Sequence, residues 1–298
     1  MKLIIQIPCY NEEKTLPITL RDLPQKIMGI DEIDVLVIDD GSTDKTIDVA
    51  KENGVKMFCI MPHNSGLGRA FSAGLQKSLE LGADIIVNFD ADNQYCSKDI
   101  EKLVNPIIER RADITIGARP LLGMKHWSFF KRYLQVLGSK TVGFLSSSDI
   151  KDATSGFRAF SRDAALKINS FEKYSHTQET IMQAKAKELI IKSIPIRVNP
   201  DLRKSRLMRS MASFVIKQSK VIIKNFVIYN PFTFFLGLSH IFFILCILFY
   251  YLNFSALWLL FCGILIMQTL LMAIFSLLLS HNRKLLEDID IRLKNKKD

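Results

Sequence analysis

From Asn225 to Asn282 the chain runs for 58 consecutive residues without an Asp, Glu, Lys or Arg. A helix needs about 20 apolar residues to cross a bilayer. Two such segments, 232–252 and 254–280, lie in this run on either side of Asn253. Neither carries the polar face, repeating every 3.6 residues, that marks a helix on a soluble core. Two spans joined by the uncharged residues 251–255 form a hairpin with both ends on one side. Lys217, Lys220 and Lys224 precede it, and Arg283 and Lys284 follow it. The positive-inside rule then predicts a multi-pass membrane protein whose flanking parts are cytoplasmic.

Charge is distributed to match. Residues 1–196 carry 26 basic and 25 acidic side chains, whereas 197–298 carry 14 and 5, so nearly all of the formal +10 lies in the last third. A basic excess raises nucleic acid as a partner. Here it flanks an apolar block, so a membrane surface is expected instead and nucleic acid is not. Leu207, Met211, Phe214, Val215, Ile222 and Phe226 recur at helical spacing, with Arg206, Arg209, Lys217, Lys220 and Lys224 on other faces. That pattern predicts an amphipathic helix lying in the interface over 207–230, although a packing helix has the same periodicity. Asn230-Pro231 marks a break. The expected parts are a domain at 1–206, the interfacial helix at 207–230, the hairpin at 231–282 and a basic cytoplasmic tail at 283–298. The five cysteines show no CxxC spacing, and residues 3–7 open directly into a strand-like run. Neither a zinc site, a disulfide framework nor a signal peptide is expected.

In the first 200 residues, short β-branched runs alternate with helical stretches. Strands are predicted at 2–7, 33–38, 55–60, 84–89 and 113–117, and helices at 12–28, 44–53, 68–81 and 98–110. Beyond residue 130 the rhythm loosens: a helix at 130–145, a strand at 157–161, a helix at 177–188 and a strand at 190–198. This is an α/β domain with a Rossmann-like, mostly parallel sheet, and its ligand loops belong at the carboxyl ends of the strands. Near-continuous apolar runs such as 35–38 suit a sheet covered on both faces.

Three strand ends collect polar residues: Pro8-Cys9-Tyr10-Asn11-Glu12-Glu13, Asp39-Asp40-Gly41-Ser42-Thr43-Asp44, and Asp90-Ala91-Asp92-Asn93-Gln94. In the third, residues two apart on an extended segment face one way, so Asp90 and Asp92 can approach one ion. Oxygen donors of this kind suit Mg2+ or Mn2+, which keep part of their shell for phosphate oxygens. The plainer reading is a turn at Asp92-Asn93 and a helix cap at Asp90. Asp39 and Asp40 can accept from a base N–H or ribose hydroxyls, while Ser42 or Asp44 can be the cap of the next helix. Gly66-Leu67-Gly68-Arg69 opens a helix whose N-terminus favours phosphate. No P-loop and no GxGxxG fingerprint is present.

Together these loops resemble family 2 glycosyltransferases of the GT-A fold, most closely the polyprenyl-phosphate sugar transferases related to dolichol-phosphate mannose synthase. The resemblance runs through PCYNEE, VIDDGSTDKT, FDADNQ, IGAR, KDATSGFRAF and LRKSRL, so it covers essentially the whole chain. It implies that Pro8, Tyr10, Glu12 and Asp39 hold the nucleotide and that Asp90, Asp92 and Gln94 serve a metal and the diphosphate. From the same loops, Asn11, Asp40, Gly41, Ser42, Gly66, Arg69 and Ala91 complete the expected nucleotide-sugar site. It also implies an inverting hexosyl- or N-acetylhexosaminyltransfer from a UDP- or GDP-sugar to undecaprenyl or dolichyl phosphate. Homo-oligomers occur in the group, but no GxxxG marks a helix face here.

A polyprenyl phosphate is already largely ionised near pH 7, since the second pKa of a phosphate monoester is about 6. It needs cations to hold it rather than a base. Arg119, Arg132, Arg158, Arg203, Lys204 and Arg206 are the candidates, because arginine forks suit phosphate oxygens. For Arg203, Lys204 and Arg206 the plainer reading is general attraction to anionic lipid; for Arg132 it is a surface charge. Asp92, Asp152 and Arg119 are expected nearest the reaction, Asp152 and Arg158 lining the pocket with no base role. A sugar-hydroxyl acceptor would need a base, for which Asp152 and Glu179 are the available carboxylates. Glu179 can equally pair with Lys185 or cap its helix. Two departures from the family stand out: Tyr95-Cys96 follows Gln94 where a His is common, and the Lys-rich turn before Gly66 is replaced, leaving Arg69 as the nearest cation. A processive polysaccharide synthase would carry a QxxRW motif, which neither Trp127 nor Trp258 supplies. A transferase acting on a lipid-linked glycan, and a membrane-anchored nucleotide-sugar-binding protein without turnover, are the remaining alternatives.

Overall fold

The computed structural model describes residues 1–124, 127–170, 176–200 and 211–295. It divides into two units, Met1–Val221 and Ile222–Lys296.

The first unit is built on seven strands: β1 Lys2–Cys9, β2 Glu32–Asp39, β3 Met57–Ile60, β4 Ile85–Asn88, β5 Ile114–Ala118, β6 Arg158–Ser161 and β7 Ile191–Pro195. They form one sheet in the order β3-β2-β1-β4-β6-β5-β7. β1 runs parallel to β2 and β4, β2 to β3, and β5 to β7, whereas β6 is antiparallel to both neighbours. Between β1 and β4 the strand order reverses, and the loops after β1, β2 and β4 therefore open into one crevice. Antiparallel β6 brings its first residue to that same end, with Arg158 opposite Asn88.

Helices α1 Leu16–Asp22, α2 Thr46–Glu52, α3 Leu67–Glu80, α4 Ile100–Ile108, α5 Phe129–Ser146, α6 Arg162–Lys167 and α7 Thr177–Ala186 pack around the sheet. Leu3, Ile5, Ile7, Val37, Val87, Phe89, Leu103, Val104 and Phe157 are buried in one core cluster. This is the fully covered sheet that the apolar strands predict. Helix α1 is much shorter than the expected 12–28. Leu23 is extended (φ −64°, ψ 142°) ahead of Pro24, as the residue before a proline prefers to be, and the helix stops there. The six-residue α6 was not expected; Ser161 starts it, its hydroxyl accepting from the Ala164 N–H.

Helix α8 runs over Met211–Tyr229, so the start of the expected 207–230 helix lies outside the described residues. In the second unit, α9 Pro231–Tyr251 and α10 Ala256–Asn295 are both long and apolar enough to cross a membrane. Their buried positions are mostly small: Ser239 on α9, and Cys262, Thr269, Ala273 and Ser276 on α10. Small residues let apolar helices approach closely. Helix α10 continues beyond residue 280 through the expected tail. Arg283–Glu287, Asp288–Arg292 and Asp290–Lys294 ion pairs, all at i,i+4, support that extension.

Candidate active site

The loops after β1 and β2 brace each other. The Asn11 N–H donates to Ser42 Oγ (2.9 Å), the Thr43 N–H to Asn11 Oδ1 (2.8 Å), and the Glu12 N–H to Thr46 Oγ1 (2.9 Å). Asn11 adopts φ +55°, a left-handed conformation that Asn tolerates better than most residues. Asp44 accepts from the Glu13 and Thr46 N–H groups, so it joins the two loops as well as opening α2. Tyr10 is left 40% exposed at the crevice. Asp39, buried at the tip of β2, accepts from the Ser42 N–H.

Asp40 does something the motif does not reveal. Its carboxylate accepts from the Ser65 N–H (2.7 Å) and the Gly66 N–H (2.9 Å), fixing the turn that starts α3. Both oxygens are engaged with backbone, so Asp40 shapes the site by holding that turn. Gly41 (φ +73°) lies so close to this turn that a Cβ would be 2.7 Å from the His63 carbonyl carbon. Arg69, in the first turn of α3, is exposed.

The third loop is fixed from three directions. The Asn199 side-chain amide donates to the carbonyls of Asn93 and Tyr95, and the Asn199 N–H donates to the Gln94 carbonyl. Thr19 Oγ1 donates to the Ala91 carbonyl (3.0 Å). Below the loop, Tyr95 packs its ring against Phe89 and Phe157, and its hydroxyl favours the charged form of the Asp90 carboxylate. The Tyr95 hydroxyl also accepts from the Gly156 N–H (3.1 Å). A Cβ on Gly156 would lie 3.0 Å from Asp90 Oδ2 and would push on the carboxylate by a few tenths of an ångström. A buried amide chain sets Gly156 in turn: Gln6 donates to Asn88, and Asn88 donates to the Gly156 carbonyl.

Burial and then the charge of Asp92 raise the Asp90 carboxyl above its ordinary range, with Glu12 adding to the effect and Arg119 opposing it. Two carboxylates within electrostatic reach in a poorly solvated crevice call for a cation. Among the described residues no cluster of three His, Cys, Asp or Glu side chains forms a closed metal cage. An open pair of hard oxygen donors nevertheless fits Mg2+ or Mn2+, which normally fill the remaining positions with water and phosphate oxygens. Gln94 is half-buried in the same loop, its N–H donating to Asp92 Oδ1 (3.3 Å).

Arg119 and Asp152 form a buried ion pair, with Nε 2.6 Å from Oδ2 and Nη2 3.0 Å from Oδ1. Burial alone would raise the Asp152 carboxyl; the charge and hydrogen bonds of Arg119 outweigh it and hold it below its ordinary range. Thr154 joins the pair, accepting from Arg119 and donating to Gln135 on α5. Arg158 does not reach an acceptor surface, contrary to its expected role. It is wholly buried, donating to the carbonyls of Ser155 and Ala153 and to Thr180 Oγ1, and burial lowers its pKa to about 9. It supports the Asp152–Gly156 turn from inside. Arg132 donates to the Leu122 carbonyl (2.9 Å), and Glu179 is buried, accepting from Ser170 Oγ. Pro8 is buried within β1. Arg203, Lys204 and Arg206 lie outside the described residues.

Tyr95, Asn199, Gly156 and the Gln6–Asn88 pair are the site residues that sequence reasoning missed. Gly156 lies inside the KDATSGFRAF stretch and Tyr95 marks a departure from the family pattern, whereas Asn199, Gln6 and Asn88 carry no such signal.

Residues 4–168 match the family described as glycosyl transferase family 2. The UDP-N-acetylglucosamine--dolichyl-phosphate N-acetylglucosaminyltransferase of Methanococcus voltae is 33% identical, over 64% of this chain and 83% of the relative. The undecaprenyl-phosphate mannosyltransferase of Micrococcus luteus is 33% identical, over 57% of this chain and 70% of the relative. Among solved structures, glucosyl-3-phosphoglycerate synthase of Mycobacterium tuberculosis, in complex with Mn2+, UDP and glucosyl-3-phosphoglycerate, is similar with a TM-score of 0.57. That match is 17% identical and covers 76% of this chain and 78% of the other, a likeness of fold.

Proposed function

The chain belongs to glycosyl transferase family 2, and on that footing we propose that it moves one sugar from a nucleoside diphosphate sugar to a polyprenyl phosphate, with inversion, at the cytoplasmic face of a membrane. The observation that carries this reading is the Asp90/Asp92 pair, set by Tyr95 and Gly156 at the tip of β4 beside the crossed loops of β1 and β2. The polyprenyl phosphate acceptors named for the two relatives support the lipid side. Helices α9 and α10 support attachment to the membrane as a hairpin.

Asp39 and the backbone around Ser42 and Thr43 bind the nucleoside, and Tyr10 covers it. Asp90 and Asp92 would hold Mg2+ or Mn2+; bound there, the ion neutralises charge gathering on the departing diphosphate. The start of α3, kept in place by Asp40, turns a helix N-terminus toward the same oxygens. The acceptor phosphate oxygen then forms a bond to the anomeric carbon as the bond to the donor β-phosphate oxygen breaks on the opposite face. A nucleoside diphosphate leaves, and no proton has to be removed. Asp152 does not serve as a base, because Arg119 engages both its oxygens and lowers its affinity for a proton. That pairing favours a phosphate acceptor over a glycan hydroxyl, which would require a free base.

The test uses purified full-length protein, undecaprenyl or dolichyl phosphate, and a panel of UDP- and GDP-sugars with Mg2+ or Mn2+. One donor is expected to turn over, with activity lost to a chelator. Asp92→Ala is expected to lower turnover about 100-fold or more while the protein stays folded. Full activity in Asp92→Ala would overturn the site assignment.

A further inference from the structure

Asn93 stands between Asp92 and Gln94 and takes no part in the chemistry assigned to that loop. Three observations single it out. Its backbone is left-handed (φ +54°), a conformation that costs most side chains and that Gly, Asn and Asp tolerate. It is buried, at 7% exposed. Its side-chain amide is engaged at both ends. Nδ2 donates to Asp22 Oδ2 on the last residue of α1 (3.2 Å), and Oδ1 accepts from Asn199 Nδ2 on the segment after β7 (3.5 Å). Asn199 Nδ2 also donates to the Asn93 carbonyl (3.0 Å), and Ser97 Oγ to the Asp22 carbonyl.

These demands converge on one side chain. The backbone admits Gly, Asn and Asp. Of the three, only Asn can donate to a carboxylate on one side while accepting from an amide on the other. Gly would keep the turn and lose both bonds, and Asp would set a second carboxylate against Asp22. The turn matters to its neighbours because it returns the Gln94 N–H to Asp92 Oδ1 (3.3 Å). An Asp side chain is short, so its carboxylate reaches an ion only from a correctly placed Cα. Binding constellations need such placement to within about 0.5 Å.

We propose that Asn93 is a positioning residue for the divalent ion: its left-handed turn, locked between α1 and the segment after β7, fixes the spacing of Asp92 and Gln94 on which metal affinity depends. The inference rests on the reading of Asp90 and Asp92 as the residues that hold the ion, and it assigns Asn93, Asp22 and Asn199 a part in that holding without contact to the metal.

The experiment titrates full-length protein in detergent with Mn2+, alone and with UDP, and follows the free ion by electron paramagnetic resonance. Melting temperature is recorded in parallel. Asn93→Ala, which loses both bonds and strains the turn, is expected to weaken Mn2+ binding about tenfold. Asn93→Gly, which restores the turn alone, is expected to weaken it only about threefold. Asp22→Ala is expected to match Asn93→Gly; Asp22 is exposed, so this variant keeps the test open should Asn93→Ala not fold. Asp22→Ala combined with Asn93→Gly is expected to bind no more weakly than Asn93→Gly, since both remove one bond. Thr115→Val is the control. It deletes a buried hydrogen bond to the Leu103 carbonyl (2.8 Å) and is expected to lower the melting temperature with Mn2+ affinity unchanged. Variants at 93 and 22 that melt earlier yet bind Mn2+ within twofold of the unsubstituted protein would overturn the proposal, leaving Asn93 a purely structural role. Asn93→Gly as weak as Asn93→Ala would also overturn it, by showing that the turn is not the device. An unsubstituted protein that binds no Mn2+ under either condition would overturn the metal reading and this inference with it.

Discussion

At the tip of β4, the Tyr95 hydroxyl accepts from the Gly156 N–H, and Gly156 in turn lies against the Asp90 carboxylate, whose charged form the hydroxyl favours. Leaving the buried Gly156 N–H without its acceptor costs about 1–3 kcal/mol, and each 1.36 kcal/mol in a barrier is about tenfold in rate. Tyr95→Phe keeps the ring that packs on Phe89 and Phe157 but loses that oxygen. Turnover is expected to fall about 10- to 100-fold, with nucleotide affinity changed less than about threefold, as read from steady-state rates and a nucleotide titration. Unchanged turnover would mean that Asp90 is oriented without the hydroxyl. At this scale the sequence was partly legible. The three acidic loops stand out because polar residues cluster at the ends of apolar runs. Tyr95 stands out only as a departure from the family pattern, since nothing in the order of residues says that its side chain folds back beneath its own loop. Arg158 misled for the opposite reason: an arginine beside a site motif suggests phosphate, whereas this one is closed in by backbone carbonyls and Thr180.

Among the elements, the segment after β7 reaches back to clamp the third loop. Asp99, at the start of α4, accepts from the Arg197 N–H (2.7 Å) and pairs with the Arg197 guanidinium and with Lys102. Burial would raise its carboxyl, but the hydrogen bonds from Arg197 and Lys102 outweigh that and hold it at about 2, below an ordinary value of 3.8. A folded-state pKa below the unfolded one stabilises the fold above the unfolded value, and the contribution disappears as pH falls through the folded one. Asp99→Asn is therefore expected to lower the melting temperature at pH 7 by on the order of 5 °C. The gap to the unsubstituted protein is expected to close as pH drops from 3.8 to about 2. A gap that stays constant over this range would contradict the linkage. Sequence periodicity locates the strand ends within three residues, because their apolar runs are bounded by charge and turn residues. It overextends α1, where Pro24 decides the end, and it stops α10 too early. There, hydropathy falls while the i,i+4 ion pairs continue the helix. The 99–197 and 88–158 pairings join residues far apart in sequence, and no local pattern encodes them.

For the molecule as a whole, the reading joins a glycosyltransferase unit to helices that can span a membrane, and its central claim is that the acceptor atom is a lipid phosphate oxygen. The 58-residue uncharged run makes the second unit legible at once, whereas the acceptor comes only from the engagement of Asp152 by Arg119 and from the names of relatives. Phosphorus NMR of the lipid, with the full-length protein in vesicles, the active nucleotide sugar and polyprenyl phosphate, addresses that claim most directly. The monoester signal is expected to convert to a phosphodiester in step with release of nucleoside diphosphate, one for one, with the sugar's anomeric configuration opposite to the donor's. Release of nucleoside diphosphate while the monoester signal stays unchanged would contradict the account.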